Sequence, residues 1–221
     1  MTSYNAPIDE ILFSMKACKQ LDEVLQLPGC EDLNEELVSG VLEAAGRFAG
    51  EAIAPLNLKG DRTGCLFENG VVRTPGASKE VYRQFVENGW NSLPFETDYG
   101  GQGLPWLLGT AVQEMWQSAS MGFSLCPLLT QSGVELLTAL GTPEQKDLYL
   151  TRLISGEWTA TMNLTEPQAG SDVGAIRTVA VKNGEHYLIK GQKIFITYGE
   201  HDLSENIIHF VLARLEGAPA G

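Results

Sequence analysis

Apolar residues recur at helical spacing through the first two thirds of the chain and then form short β-prone runs. The clearest helical signal predicts a helix over Asn34–Ala54 that ends before Pro55. Its inward stripe is predicted to comprise Leu37, Val41, Ala45, Phe48 and Ala52. Such a stripe is typical of a helix that packs on a core.

Capping and breaking residues mark the other helices. They are predicted after Pro7, over Ser78–Asn88, from Pro105, over Phe123–Leu140 and from Pro143 to about Ile154. Gly89 is suited to end the second of these in the left-handed conformation. Thr142 to Gln145 have the pattern of a capping box. The helix after Pro105 is apolar around most of its circumference, which favours burial inside a bundle.

Beyond Gly156 the pattern changes to short runs separated by turn residues. Strands are predicted over Trp158–Leu164, Ile176–Val181, His186–Ile189, Lys193–Thr197 and Ile207–Leu212. Helices followed by strands indicate an α+β fold and argue against alternating βαβ units. We therefore predict a helical domain with an N-terminal extension over residues 1–156 and a β domain over residues 157–221.

Composition narrows the function classes. The 221 residues are 43% hydrophobic, which permits a sizeable core, and carry a formal net charge of -13. An acidic chain without clustered Lys and Arg argues against nucleic acid as a partner. With no signal peptide and no apolar run near membrane-spanning length, we expect a cytoplasmic protein without a membrane span.

The cysteines and histidines have no metal-site spacing. Cysteine pairs of the C-x-x-C type are absent, and the histidines form no ligand motif with the cysteines. We expect no metal site and buried, reduced thiols. The cysteines are Cys18, Cys30, Cys65 and Cys126, and the histidines are His186, His201 and His209.

Two polar segments about twenty residues apart carry the strongest chemical signal. The first, Met162–Asp172, leaves a predicted strand through Pro and Gly, and the second, Gly191–Thr197, joins an aromatic ring to a hydroxyl. Two such strand ends held side by side offer backbone N–H groups, hydroxyls and a ring face to a flat heterocycle. Either segment alone is more typical of an ordinary turn or strand.

Together the two segments resemble the flavin- and thioester-binding signature of the acyl-CoA dehydrogenase family. The resemblance implies an N-terminal all-α helical bundle followed by the start of a β-barrel or β-sandwich middle domain, with the C-terminal helical bundle of the family absent from this chain. It also implies FAD as the cofactor.

The resemblance assigns the cofactor contacts residue by residue. Backbone groups from Met162 to Leu164 and the Thr165 hydroxyl would meet the polar edge of the flavin, as would Thr197 from the second strand. Phe195 stands where many relatives have Trp, so its ring would cover the flavin face. A core aromatic is the alternative for Phe195.

The substrate contacts are assigned in the same way. Ser171 corresponds to a contact with the flavin phosphate or the pantetheine of the acyl-CoA, or else it is part of a plain Ser-Asp turn. Gly101 and Gly103 belong to a Gly-Gly-x-Gly loop that resembles the family's acyl-pocket loop. That loop is not a dinucleotide fingerprint, because no strand precedes it.

A subgroup resemblance comes from the opening Tyr4-Asn5-Ala6-Pro7 and from Thr197-Tyr198-Gly199-Glu200-His201-Asp202. Both are similar to the subgroup that includes 3-methylmercaptopropionyl-CoA dehydrogenases. Most other members have Asn-Gly after that threonine. The cluster Glu200 to Asp202 tunes the cofactor or forms a polar turn, and we favour the turn.

The implied reaction is α,β-dehydrogenation of an acyl-CoA, with electrons passing to an electron-transfer flavoprotein. The family's catalytic base is a Glu of the C-terminal domain, so no base is assigned here, and Glu166 is not proposed as a substitute. The resemblance further implies a homodimer or homotetramer for a full-length protein, with this fragment inactive alone. Alternatives are a same-fold flavoprotein such as a nitroalkane oxidase or alkylation-response relative, or a non-redox acyl-CoA-binding or interaction module.

Overall fold

The helices precede the main sheets along the chain. The computed structural model describes residues 3–17 and 20–219. Its helices are Ile8–Ala17 (α1), Gln20–Val24 (α2), Glu35–Phe48 (α3), Ala54–Thr63 (α4), Ser78–Glu87 (α5), Trp106–Leu140 (α6) and Pro143–Ser155 (α7). Its strands are Leu66–Glu68 (β1), Val71–Arg73 (β2), Trp158–Asn163 (β3), Val179–Asn183 (β4), His186–Lys190 (β5), Asn206–Val211 (β6) and Arg214–Leu215 (β7). The predicted α+β order is confirmed.

The helix that starts at Asn34 does not end at Pro55. The Asn34 side chain caps α3 by accepting a 2.9 Å hydrogen bond from the Leu37 N–H. A π-helical turn over Ala49–Ile53 then leads directly into α4, where Pro55 occupies the first turn. Pro55 therefore lies within a continuous helical run, just after a π-helical turn in which the Ala54 N–H bonds to the Ala49 carbonyl oxygen, so the predicted stop is wrong.

The buried face of this helix is also rotated from the predicted stripe. Of the predicted stripe, Ala45 is fully buried and Val41, Phe48 and Ala52 are partly buried against the core, whereas Leu37 is 44% exposed. The fully covered positions are Val38, Leu42, Ala45, Ala49 and Ile53. Both sets satisfy helical spacing, so periodicity alone does not choose between them.

Helix α6 contains the predicted break between two helices. Ser120 has a non-helical backbone (φ -158°, ψ 99°), which divides α6 near the predicted junction. The Ser120 hydroxyl accepts a 3.4 Å hydrogen bond from the Phe123 N–H, so the second half of the helix is capped at the kink. The kink therefore leaves few backbone groups unpaired.

Among the described helices, α6 alone is long and apolar enough, by length and composition, to cross a membrane. The expectation that no apolar run approaches that length is therefore wrong. Half of its most apolar stretch is buried inside the fold, and it packs on α3, α4, α7 and β3. These contacts are those of a central core helix.

Two local predictions are confirmed. Gly89 follows α5 in the left-handed conformation with φ 71°. Thr142 and Gln145 form a reciprocal capping box at the start of α7. The segment after α4 contains a short antiparallel hairpin of β1 and β2.

The β region contains two small sheets. Strand β3 pairs in parallel with β6, with Trp158 opposite Asn206 and Asn163 opposite Val211. Strand β4 lies between β5, which is antiparallel to it, and β7, which is parallel. The first of these sheets packs against α6 and α7.

The predicted strand Lys193–Thr197 does not form, and Ile176–Val181 begins as a strand only at Val179. Phe195 and Tyr198 both have left-handed backbones, with φ of 57° and 53°. A left-handed residue reverses the extended course of the chain, so the segment is irregular although its composition is β-prone.

Among the described residues, buried apolar side chains form two hydrophobic cores. One lies within the helices and includes Phe85 and Trp116, whose rings meet edge to face. The other joins α6 and α7 to the β3–β6 sheet through Val134, Leu150 and Ala160. The second core fixes β3 relative to the helices.

The expectation of buried thiols holds at Cys30 and Cys126 but is wrong at Cys65, which is exposed. Cys65 lies in the short connection between α4 and β1. Cys18 lies outside the described residues. No group of three possible metal ligands occurs among residues 3–17 and 20–219.

Candidate functional site

The two signature segments lie side by side in the structure. The Ile194 N–H donates a 3.0 Å hydrogen bond to the Thr165 carbonyl oxygen. The Lys193 ammonium donates at 2.9 Å to the Leu164 carbonyl oxygen. These two contacts cross-link the end of β3 to the second segment, although that segment is not a strand.

This junction presents free polar groups and an uncovered ring. Among the described residues, the hydroxyls of Thr165 and Thr197 have no hydrogen-bond partner. The Phe195 side chain is 88% exposed, so it belongs to neither hydrophobic core. Leu164 is 40% exposed and Met162 is half-buried. Two hydroxyls beside an aromatic face suit the polar edge and the flat face of a flavin.

Glu166 is a structural centre of the first segment. It is 3% exposed, and its carboxylate accepts hydrogen bonds from the N–H groups of Arg177 at 2.7 Å and Thr178 at 3.0 Å. The side chains of Gln168 and Lys193 donate to it at 2.7 and 2.9 Å. Burial alone would raise the pKa of Glu166, but the hydrogen-bond donors of Thr178, Arg177 and Lys193 lower it below its ordinary value. A carboxylate with a lowered pKa and with both oxygens already hydrogen-bonded is a poor proton acceptor, which agrees with the exclusion of Glu166 as a base.

The glycine loop owes its composition to tight packing. A Cβ on Gly101 would lie 2.0 Å from the Phe95 carbonyl oxygen, and Gly103 has φ 65°. The Gly101 and Gly103 N–H groups both donate to carbonyls of Phe95–Glu96 at 2.9 Å. Ser171 lies in an exposed turn. These contacts explain the glycines without a ligand, and the substrate contacts of Gly101, Gly103 and Ser171 stay predictions.

His201 is buried beneath the loop that follows Thr197. Its Nδ1 accepts a hydrogen bond from the Leu203 N–H at 3.1 Å, so the proton of the neutral ring lies on Nε2. Nε2 lies 3.1 Å from the Thr159 hydroxyl oxygen. Burial lowers the pKa of His201 to about 4, against a smaller opposing effect of Asp202. The imidazole is therefore neutral at pH 7.

The same loop is tied to the helical region at two other points. The Tyr198 hydroxyl donates a 2.7 Å hydrogen bond to the Gly122 carbonyl oxygen, just beyond the kink of α6. The Asp202 carboxylate accepts from the Thr74 N–H at 2.9 Å and from its hydroxyl at 2.8 Å. With His201 also paired, the contacts of this cluster are those of a polar turn, as favoured from the sequence.

Sequence reasoning missed the polar face of β3. Thr159, Thr161 and Asn163 are all buried and lie on one side of the strand. Thr161 donates to the Thr197 carbonyl oxygen at 2.7 Å, and the Asn163 amide lies 2.9 Å from His209 Nδ1. The available signal was the strict polar and apolar alternation from residue 158 to 163. This face orients the loops that surround the candidate site.

Family comparisons identify the fold and its relatives. Residues 39–157 match the protein family described as "Acyl-CoA dehydrogenase, N-terminal domain", and residues 161–220 match the family described as "Acyl-CoA dehydrogenase, middle domain". The chain belongs to the acyl-CoA dehydrogenase family. A 3-methylmercaptopropionyl-CoA dehydrogenase of Ruegeria pomeroyi is 47% identical over 220 residues, which cover 99% of this chain and 37% of that protein.

Solved structures agree with this assignment. A butyryl-CoA dehydrogenase from Megasphaera elsdenii is 27% identical with a TM-score of 0.67, over 82% of this chain and 44% of that one. An acyl-CoA dehydrogenase complexed with FAD from Bacillus anthracis is 26% identical with a TM-score of 0.65, over 85% and 30% of the two chains. The chain thus spans less than half the length of these family members.

Proposed function

We propose that this chain forms the flavin-facing part of an FAD-dependent acyl-CoA dehydrogenase, which oxidises an acyl-CoA thioester between its α and β carbons. The observation that carries the proposal is the junction of the two signature segments. It carries the exposed ring of Phe195 and the hydroxyls of Thr165 and Thr197, which have no hydrogen-bond partner in the part of the chain that the structure describes. Membership of the family supports the same reading.

In this proposal the chain's residues bind and orient the reactants. Backbone groups from Met162 to Leu164, with the hydroxyls of Thr165 and Thr197, hold the polar edge of FAD, and Phe195 covers its face. Bound FAD supplies the acceptor for the hydride that leaves the β carbon. Removal of the α proton needs a carboxylate base. We assign that role to no residue of this chain.

The substrate side of the proposal is an acyl-CoA held partly by Ser171 and by the loop of Gly101 and Gly103. The name of the 47% identical relative makes 3-methylmercaptopropionyl-CoA the first substrate to test. We further propose an electron-transfer flavoprotein as electron acceptor, a homodimeric or homotetrameric assembly and a cytoplasmic location. The boundary between residues 156 and 157 is kept as the proposed domain division.

The proposal is tested on the purified product of the complete gene, with this 221-residue chain measured beside it. Visible spectra are recorded without oxygen before and after addition of saturated acyl-CoAs, including 3-methylmercaptopropionyl-CoA. We expect bound flavin in the complete product and bleaching of its long-wavelength band by at least one acyl-CoA.

The other outcomes separate the alternatives. Bound flavin that no acyl-CoA bleaches would favour a same-fold flavoprotein with other chemistry. Binding of acyl-CoA without any flavin would favour a non-redox carrier. Absence of both flavin and thioester binding would leave an interaction module and would overturn the proposal.

A further inference from the structure

The segment that carries Phe195 and Thr197 is not a strand, and beyond the Ile194 N–H bond to the Thr165 carbonyl oxygen it is held by hydrogen bonds from side chains. The Thr161 hydroxyl donates a 2.7 Å hydrogen bond to the carbonyl oxygen of Thr197, which lies inside this segment. Thr161 is 0% exposed and sits in β3, which the second hydrophobic core fixes against α6 and α7. The buried Thr161 hydroxyl thus connects this segment to a strand that is packed against the helices.

The backbone of this segment needs such support. Phe195 and Tyr198 are non-glycine residues in the left-handed region, three positions apart. Residues in this region persist when surrounding contacts fix them. The Tyr198 hydroxyl is anchored on Gly122, and the Thr197 peptide between the two strained residues is anchored by Thr161.

We propose that Thr161 is a positioning residue that sets the orientation of the flavin-facing segment Phe195–Thr197 through its hydrogen bond to the Thr197 carbonyl oxygen. This inference rests on the proposed function for its link to flavin. Thr161 is buried and contacts this segment at the Thr197 carbonyl oxygen, so it acts through Thr197. Loss of the Thr161 hydrogen bond should increase the mobility of both the Phe195 ring and the Thr197 hydroxyl.

The test uses three variants of the complete gene product. Thr161→Val keeps the shape and removes the hydroxyl, and Thr161→Ser keeps the hydroxyl. Thr159→Val is the matched control, because Thr159 is two residues away on the same buried face but pairs with His201 and Ser204. Each protein is measured for FAD affinity, for the spectrum of bound flavin and for hydrogen exchange of the peptide spanning residues 193–199.

We expect Thr161→Val to weaken FAD binding by about three- to tenfold, the range for one lost hydrogen bond. Its flavin spectrum should change, and hydrogen exchange over residues 193–199 should speed up in the apoprotein. Thr161→Ser should restore FAD affinity to within about twofold of the wild type. Thr159→Val should lower stability but shift the flavin spectrum and the exchange of that peptide much less than Thr161→Val does, because Thr159 contacts His201 and Ser204 and no residue of Phe195–Thr197.

The outcomes separate this inference from the proposed function. If the wild type binds FAD and Thr161→Val matches it in affinity, spectrum and exchange, the inference is overturned and the proposed function stands. If both Thr→Val variants shift these readouts equally, Thr161 has only a general structural role. If the wild type binds no flavin, the proposed function fails, and unchanged exchange in Thr161→Val would overturn the positioning role as well.

Discussion

Buried His201 makes the stability of this protein sensitive to mild acid. Its pKa falls from an ordinary 6.5 to about 4 in the folded protein, because burial disfavours the charged ring. Below pH 6.5 the unfolded chain therefore binds a proton that the folded chain does not. Stability is lost as the pH falls from 6.5 towards 4.

The size of this loss follows from the two pKa values. At about 1.4 kcal/mol per pH unit, the full difference is about 3 kcal/mol, reached below pH 4. Between pH 7 and pH 5 the same linkage relation gives a loss of about 2 kcal/mol. The charge of Asp202 opposes the lowering of the His201 pKa, and the charge of His209 contributes to it.

The assay is urea unfolding of the wild type and of His201→Gln at several pH values from 7 to 5. Glutamine keeps a side-chain donor and acceptor but does not titrate. We expect the wild type to lose about 2 kcal/mol more than the variant over this range. Equal losses in the two proteins would refute the reasoning, because every other titrating group is common to both.

Three other predictions concern packing, a buried ion pair and a helix cap. Gly133→Ala should lower the free energy of unfolding by about 1–2 kcal/mol, because the new Cβ would lie 2.8 Å from atoms of the facing sheet. Gly40 has open space around it, so Gly40→Ala should raise the free energy of unfolding by up to about 1 kcal/mol. Chemical denaturation measures both, and the opposite ranking would contradict the packing described. Glu166→Gln and Lys193→Met should each lower the melting temperature. The double variant should lose less than the sum of the two single losses, because the two side chains form a 2.9 Å ion pair. A double variant that loses the full sum would show that the two side chains are not coupled. Thr142→Ala should cost about 1 kcal/mol in urea unfolding by removing the capping box, and an unchanged midpoint would show that α7 does not need it.

Much of the fold could be predicted from the chain because local signals were strong. The capping box at Thr142, the left-handed Gly89 and the change from helices to strands each reflect a local physical rule, and the structure contains all three. The end at Pro55 and the inward position of Leu37 were wrong. Both depend on how α3 meets the rest of the bundle, which local sequence does not specify.

The candidate site was only partly predictable. The motif identified both segments, but β propensity led to a strand at Lys193–Thr197 where the structure has a turn with left-handed Phe195. Tertiary hydrogen bonds, such as that from Thr161 to Thr197, outweigh propensity there. Such contacts join residues 36 positions apart, so no local rule anticipates them.

We propose that this chain belongs to an enzyme that removes hydrogen from the α and β carbons of an acyl-CoA. The most direct test incubates the complete gene product with saturated acyl-CoAs and an artificial electron acceptor and identifies the thioester by mass spectrometry. We predict an α,β-unsaturated acyl-CoA lighter than its substrate by two hydrogen atoms. Full recovery of unchanged substrate from a flavin-loaded protein, with every acyl-CoA tested, would contradict the account.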